Sequence, residues 1–153
     1  MAGFSLKGKI ALVTGASHGV GLGIATGLAK AGAEICFNST TEERAATGLA
    51  AYKERGIDAH AYVCDVTDER QVKELVSTIE KEVGVIDILV NNAGMIMRKP
   101  MVEMEAEEFR RVVDVDLNAP FIVSKAVLPG MRKKGHGKII NVWSMMSELG
   151  RET

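Results

Sequence analysis

Three glycines near the start of the chain have the spacing of a phosphate-binding turn. Gly15, Gly19 and Gly21 follow an apolar run at residues 9–14 and precede a helix-like run at residues 22–31. Glycine lets backbone N–H groups approach a pyrophosphate that a side chain would block. The start of the following helix adds unpaired N–H donors and a partial positive charge. We therefore predict a nucleotide diphosphate site here, although a glycine-rich turn without a ligand would have the same residues.

The end of the second strand-like run bears on which adenine ribose the site accepts. Dinucleotide sites selective for NAD place a carboxylate here to bind the ribose 2′-hydroxyl. The chain instead has four uncharged polar residues, Asn38, Ser39, Thr40 and Thr41. Ser39 and Thr40 can donate hydrogen bonds to the 2′-phosphate of NADP, with His18 from the glycine turn as a further partner. The usual arginine is missing from both places, and Thr40 with Glu43 also fits a helix capping box. We expect NADP, with NAD as the alternative.

Polar and small residues also follow the third and fourth strand-like runs. Asp65 ends the third run, where it can accept a hydrogen bond from an adenine amino group or simply form a turn. The fourth run is followed by Asn91, Asn92, Ala93 and Gly94. Small residues there allow a ribose and a nicotinamide to lie close to the backbone. Asn91 can equally join neighbouring strands through its amide.

Two cations follow this segment. Arg98 lies where it could hold the anionic group of a substrate beside a nicotinamide, and Lys99 is next to it. A solvent-facing arginine is the alternative.

The elements that must position these residues alternate between strand-like and helix-like patterns, which predicts an α/β fold with a parallel sheet. The length of 153 residues fits one domain. The predicted strands are residues 9–14, 34–38, 58–65, 86–90 and 138–143. The predicted helices include residues 20–30, 41–55, 106–117 and 120–134.

Patterns within the helices add detail. A third helix is capped by Thr67 and has an apolar stripe of helical period, Val72, Leu75, Val76, Ile79 and Val83. In the next helix we expect four inward-facing residues, Phe109, Val112, Val113 and Leu117. That helix is expected to end or kink at Asn118, because Pro120 follows.

Composition excludes several classes of protein. A net charge of −1 argues against a nucleic-acid partner, and no apolar stretch is long enough to span a membrane. Cys36 and Cys64 lie in strand-like runs and are expected to be buried free thiols. Neither a disulfide framework nor a metal site has support. Since the N-terminus also lacks the apolar core of a signal peptide, we expect a cytoplasmic location.

The motifs taken together identify a family. The order Thr14-Gly15-x-x-x-Gly19-x-Gly21, Asp65, residues 91–94, Asn118 and a serine after the fifth strand resembles the short-chain dehydrogenase/reductase family. The resemblance covers essentially the whole chain. Residues 138–141 and 144–153 are similar in particular to the gluconate 5-dehydrogenase group. The family resemblance implies a Rossmann-like, doubly wound parallel sheet with strand order 3-2-1-4-5.

The resemblance also implies residue roles. Gly15, Ser17, Gly19, Val20 and Gly21 would line the pyrophosphate turn. Two further groups would contact adenine and ribose respectively: Asp65 with Val66, and Asn92 with Ala93 and Gly94. Asn118 would position a water for proton relay, and Ser144 would hydrogen-bond the reacting carbonyl or alcohol.

One part of the family pattern is missing. Its acid/base tyrosine stands about a dozen residues beyond the serine, with a lysine one helical turn later, whereas this sequence ends at Thr153. Tyr52 and Tyr62 lie in the second helix and third strand and cannot serve. We expect residues 1–153 to be an NAD(P)-binding domain that is incomplete at its C-terminus. The fifth strand would then be an apolar sheet edge.

Three functions are compatible with these observations. The leading hypothesis is an oxidoreductase that moves hydride between NAD(P) and a secondary alcohol of a sugar acid such as gluconate. A 3-oxoacyl carrier-protein reductase shares every motif. A nucleotide-binding module without catalysis is the third, if the molecule ends at Thr153. The family forms dimers or tetramers through helices near Asn118 and Pro120, so a homodimer or homotetramer is expected.

Overall fold

A computed structural model describes residues 4–144 of the chain. Strands and helices alternate through this part. The strands are β1 (Ile10–Val13), β2 (Glu34–Ser39), β3 (Ala59–Val63), β4 (Ile88–Asn91) and β5 (Lys138–Asn141). The helices are α1 (Gly19–Lys30), α2 (Glu42–Glu54), α3 (Glu69–Glu82), α4 (Ala106–Val113) and α5 (Ala119–Lys134), with a 3₁₀ turn at Met101–Glu103. Residues 145–153 of the segment that resembles the gluconate 5-dehydrogenase group lie outside the described residues.

The five strands form one parallel sheet in the order β3-β2-β1-β4-β5, which confirms the predicted fold. Alternate residues of β1 point to opposite faces, as the strand period requires. Leu12 belongs to the core that includes α3 and α5, whereas Ala11 and Val13 belong to the core beneath α1 and α2. A parallel sheet buried on both faces explains why the strands read as continuous apolar runs.

Both cysteines are buried free thiols, as predicted. Burial, and to a smaller extent the charge of Glu34, raises the pKa of Cys36 to about 12. Burial likewise raises the pKa of Cys64 to about 12, with Asp65 the next contributor. Both thiols therefore stay protonated near neutral pH and are poor nucleophiles.

The caps of two helices lie one residue later than predicted. Thr41, not Thr40, caps α2 by accepting a hydrogen bond from the backbone N–H of Arg44. Asp68, not Thr67, caps α3 by accepting from two backbone N–H groups. The carboxylate of Asp68 can accept two bonds at once and also favours the positive helix start. The apolar stripe of α3 is buried at Val72, Leu75, Val76 and Ile79, as predicted.

Of the two alternatives predicted at Asn118, a helix end and a kink, the helix end is wrong. A wide π-helical turn at Asp114–Asn118 joins α4 to α5 without a break in helical structure. Pro120 lies in the first turn of α5, directly after the π-helical turn, where the regular i→i−4 hydrogen bonding of an α-helix is already interrupted. Phe109 and Leu117, predicted to face inward, are 59% and 57% exposed, because no described element covers that side of α4. No helix within residues 4–144 is long and apolar enough to cross a bilayer.

A buried carboxylate just before β4 joins the start of β1 to the end of α5, at the end of the sheet opposite the glycine turn. Asp87 is 2% exposed and accepts hydrogen bonds from Lys134 Nζ at 2.8 Å and from the N–H of Ile10 at 3.0 Å. Lys9 Nζ and His136 Nδ1 both lie 3.4 Å away. Burial opposes ionisation, but donation by Lys134 and Ile10 outweighs it and lowers the pKa of Asp87.

Replacing Asp87 with asparagine is expected to lower the free energy of unfolding at pH 7 by about 1–3 kcal/mol, because charge-assisted bonds are lost. The difference is fully present above the ordinary aspartate pKa of about 4 and shrinks as pH falls through the lowered value. Urea denaturation across this pH range measures it. The control is Glu34→Gln, which breaks an exposed pair with His60 and should cost less than about 0.5 kcal/mol. Equal costs for both variants would contradict the prediction.

Candidate active site

A threonine hydroxyl joins the carboxyl ends of the two central strands. Thr14 Oγ1 accepts hydrogen bonds from the backbone N–H groups of Asn92 at 3.0 Å and Ala93 at 2.9 Å. The Asn92 amide returns a bond to the Thr14 carbonyl at 2.9 Å. The glycine turn after β1 is therefore held against the turn after β4.

The turn needs glycine for two different reasons. Gly15 and Gly19 have φ of +63° and +59°, a region that other residues rarely adopt. A Cβ on Gly15 would also lie 3.0 Å from the Cα of Ala93. At Gly21 a Cβ would collide with the Asn92 amide and would lie 2.9 Å from the Cα of Ala16. The start of α1 consequently lies directly against both turns.

Buried side chains behind the turn fix its backbone. Asn38 Oδ1 accepts from the N–H of Gly15 at 3.2 Å, while its amide donates to the Cys64 carbonyl at 2.9 Å. The side chain of Asn38, predicted to contact the cofactor, thus braces the turn. The sequence predicted no role for Tyr52 in this turn, yet its buried hydroxyl donates to the Ala16 carbonyl at 2.9 Å. Burial raises the pKa of Tyr52, so it stays a donor at neutral pH.

A cavity of about 530 Å³ lies over the glycine turn, and every residue predicted to bind a cofactor lines it. These residues are Gly15, Ser17, His18, Gly19, Val20, Gly21, Asn38, Ser39, Thr40, Asp65, Val66, Asn92, Ala93 and Gly94. Among the described helices, α2 and α3 have side-chain caps, but α1 begins at the cavity with neither a side-chain cap nor an acidic first turn. Its N–H groups suit a diphosphate, which would fill the role of a cap.

At the end of the cavity where adenine was expected, the hydroxyl of Ser39 is already hydrogen-bonded, and Arg44 is an additional lining residue. The Ser39 hydroxyl is committed to the Thr41 carbonyl at 2.9 Å, whereas Thr40 is exposed. Asp65 Oδ1 accepts from the N–H and hydroxyl of Thr67 at 2.9 and 2.7 Å, which leaves its other oxygen for a ligand. Arg44 was not predicted here, yet the first turn of α2 brings it to the cavity. The sequence signal that could have predicted this is that Arg44 lies three residues after Thr41, a residue type that often caps helices.

Six further residues line this cavity although no contact with a ligand was predicted for them. Four lie in α4 and the turn after it, namely Glu107, Arg111, Asp114 and Val115. Thr67 was predicted only as a helix cap, and Met95 lies in the segment after β4.

A second cavity of about 600 Å³ adjoins the first, and Asn92, Ala93, Gly94 and Met95 line both. Ser144 lines the second cavity, together with Asp116 and Trp143. Asn118 and Arg98 line neither cavity. The Asn118 amide instead donates to Asp114 Oδ1 at 2.7 Å, so the proton-relay role expected of Asn118 stays a prediction.

The family profile described as short chain dehydrogenase matches residues 9–153. The chain belongs to this family. The 2-dehydro-3-deoxy-D-gluconate 5-dehydrogenase of Formosa agariphila is 51% identical over 151 residues. The match covers 98% of this chain and 57% of that relative. The chain thus spans little more than half the length of the relatives it matches.

Solved structures agree with the family assignment. A 2-keto-3-deoxy-D-gluconate dehydrogenase from Streptococcus agalactiae is 66% identical with a TM-score of 0.86, covering 98% of this chain and 56% of that one. A gluconate 5-dehydrogenase from Burkholderia cenocepacia J2315, in complex with NADP and tartrate, is 44% identical with a TM-score of 0.89. That match covers 98% of this chain and 59% of the other.

Two glycines of α1 offer a matched test of the close approach. Gly21→Ala is expected to lower the free energy of unfolding by about 1–3 kcal/mol, since the added methyl group meets Ala16 and Asn92. At Gly23 nothing lies within 4 Å of a Cβ, so Gly23→Ala should raise stability by about 0.5–1 kcal/mol. Denaturation curves compare them, and a neutral Gly21→Ala would show that the two turns can separate freely.

Proposed function

We propose that this chain is the dinucleotide-binding part of an oxidoreductase that moves hydride between NAD(P) and a secondary alcohol of a sugar acid. The observation that carries the proposal is the pair of joined cavities. One lies over an uncapped helix start and a glycine turn, the other contains Ser144, and residues 92–95 line both. A dinucleotide is long enough to bind across such a junction, with its diphosphate in the first cavity. The sugar-acid dehydrogenases that match the chain support the substrate class.

The residues of the chain would act as follows. Backbone N–H groups at the start of α1 would bind the diphosphate. Asp65 would accept from adenine through its second oxygen, beside the buried Val66. When bound, the nicotinamide ring would supply the group that accepts or donates hydride. Ser144 would hydrogen-bond the reacting oxygen in the second cavity, while Trp143 would cover the substrate with apolar surface.

Titration with NADPH tests the binding half of the proposal. Calorimetry is expected to show one site, and Gly15→Val should abolish it, because a side chain there meets Ala93 and blocks the approach of the diphosphate. Gly23→Ala is the control that should bind normally. Turnover, measured on the complete natural polypeptide, is expected with 5-ketogluconate and not with an acetoacetyl thioester. Thioester turnover alone would favour a 3-oxoacyl carrier-protein reductase, and binding without turnover would favour a nucleotide-binding module.

We propose NADP as the preferred cofactor. No carboxylate follows β2 at the point where a 2′-phosphate would lie, and both Thr40 and Arg44 line this end of the cavity. Arg44 forms no ion pair with the described residues, so its guanidinium can pair with a phosphate.

Substitution of Arg44 by alanine should weaken NADPH binding about tenfold, or about 1.4 kcal/mol, and leave NADH binding nearly unchanged. The Kd values of the two cofactors measure this. Arg70→Ala is the matched control, because Arg70 is 71% exposed on α3 and lines neither cavity. Equal weakening of NADH and NADPH would rule out recognition of the 2′-phosphate by Arg44.

We also propose that the complete protein assembles as a homodimer or homotetramer in the cytoplasm. Exposed apolar side chains on α4 and α5 support a helical interface. They include Phe109, Phe121 and Leu128. The buried free thiols fit a reducing compartment.

A further inference from the structure

One side of α4 and of the turn after it forms a wall of the first cavity. The residues that line the cavity from this side recur at helical spacing, and they are Glu107, Arg111, Asp114 and Val115. Three of the four carry ionic side chains. Whether such a group can bind a ligand depends on whether the protein already supplies it with a partner.

Two of these three groups have partners within the helix. Glu107 Oε2 accepts a hydrogen bond from Arg110 at 3.3 Å, and Asp114 Oδ1 accepts from the Asn118 amide at 2.7 Å. The side chain of Arg111 is exposed and forms no hydrogen bond or ion pair with the described residues. The guanidinium of Arg111 is therefore available to a ligand in the first cavity.

The α4 wall adjoins the end of β3, where adenine is expected. Val66, which follows Asp65 just after β3, packs in one core cluster with Ala119 of α5. Val66, Ala119 and Pro120 also line one small cleft. Because α4 continues into α5 without a break, the side of α4 that faces the cavity lies near Asp65 and Val66. The glycine turn expected to hold the diphosphate follows β1, which β2 separates from β3.

The chemistry of arginine suits the face of an adenine ring. Asp65 can accept a hydrogen bond from the amino group at the edge of adenine, which leaves the faces of the ring uncovered. A guanidinium group is planar, more weakly hydrated than an ammonium group, and stacks on aromatic faces.

We propose that Arg111 is a further cofactor-binding residue whose guanidinium stacks on the adenine ring from the α4 side. This role rests on the function proposed above. Since NAD and NADP share adenine, Arg111 contributes affinity for both cofactors, whereas Arg44 distinguishes between them. Arg111 lines the first cavity and not the cavity of Ser144, so it takes no part in the chemical step.

Calorimetric titration of the complete natural polypeptide with NADPH and with NADH tests this role. In Arg111→Ala both Kd values are expected to rise by the same factor, about three- to fivefold, because stacking on adenine is lost. Arg111→Lys keeps the charge without the planar group and should recover little of the loss. The matched control is Arg110→Ala, since Arg110 pairs with Glu107 and lines neither cavity. It should bind both cofactors as wild type does.

Kinetics of the same variants separate binding from chemistry. In Arg111→Ala the KM for the cofactor should rise with an unchanged kcat, and urea denaturation should match wild type because Arg111 has no partner to lose.

Four results would overturn the stacking role. Unchanged Kd values in Arg111→Ala would exclude a contact and leave the proposed function standing. Weaker binding of NADPH alone would assign Arg111 to the 2′-phosphate, and full recovery in Arg111→Lys would show that charge suffices. If wild type bound neither cofactor, the proposed function would fail together with this role.

Discussion

The site depends on the contact between two turns at the carboxyl end of the sheet. Gly15 and Gly21 bring the start of α1 so close to the turn after β4 that even a methyl group would meet backbone or amide atoms. Thr14 converts this proximity into hydrogen bonds with Asn92 and Ala93. Because the turns are in contact, the uncapped N–H groups of α1 and the backbone of residues 92–95 lie along one continuous cleft. A side chain on either glycine would separate the two halves of the cleft.

The amino and carboxyl ends of the parallel strands differ in what their polar groups do. At the carboxyl edge, strands end in small and polar residues whose backbone is open to a ligand. At the amino edge, the buried Asp87 accepts from Ile10 and Lys134 and so ties β1 to α5 beside the start of β4. Ionic groups there are neutralised within the protein and contribute stability, whereas those at the carboxyl edge line the cavities. This arrangement lets the ligand-binding edge remain incomplete in its hydrogen bonding without loss of the fold.

Most of the fold was predictable because its signals are local. Continuous apolar runs, helical stripes such as that of α3, and the glycine spacing each depend on a few neighbouring residues, and strand order followed from the family resemblance. Of the fourteen residues expected around the first cavity, the glycines and the polar residues after the strands also have local signals, whereas Ser17, Val20 and Val66 were implied only by the family resemblance. The wide turn at Asp114–Asn118 was not predictable, since a π turn has no composition of its own and Pro120 suggested an end. The exposure of Phe109 depends on what covers α4, which no local pattern contains.

The residues that were missed were missed for different reasons. Tyr52 braces the carbonyl of Ala16, a partner distant in sequence. Arg44 reaches the cavity because Thr41 caps α2 and so places Arg44 in its first turn. Asp116 lines the second cavity, whereas Asn118 lines neither. Which of these two residues faces the cavity depends on how the π turn rotates the helix, and the sequence does not specify that rotation. The sequence therefore identified the turns that line the first cavity, but not the helical side chains that face those turns.

The charges lining the second cavity restrict how a sugar acid could bind there. Asp116 is the only ionic side chain among its described lining residues, and Arg98, expected to hold the carboxylate, is not one of them. Like charges in a partly enclosed site repel by several kcal/mol at short range. A sugar acid in this cavity would therefore direct hydroxyl groups toward Asp116 and the amides of Asn92 and Asn141, which accept and donate hydrogen bonds. If the proposed substrate binds here, its carboxylate points away from Asp116, and no cation among the described lining residues can pair with it.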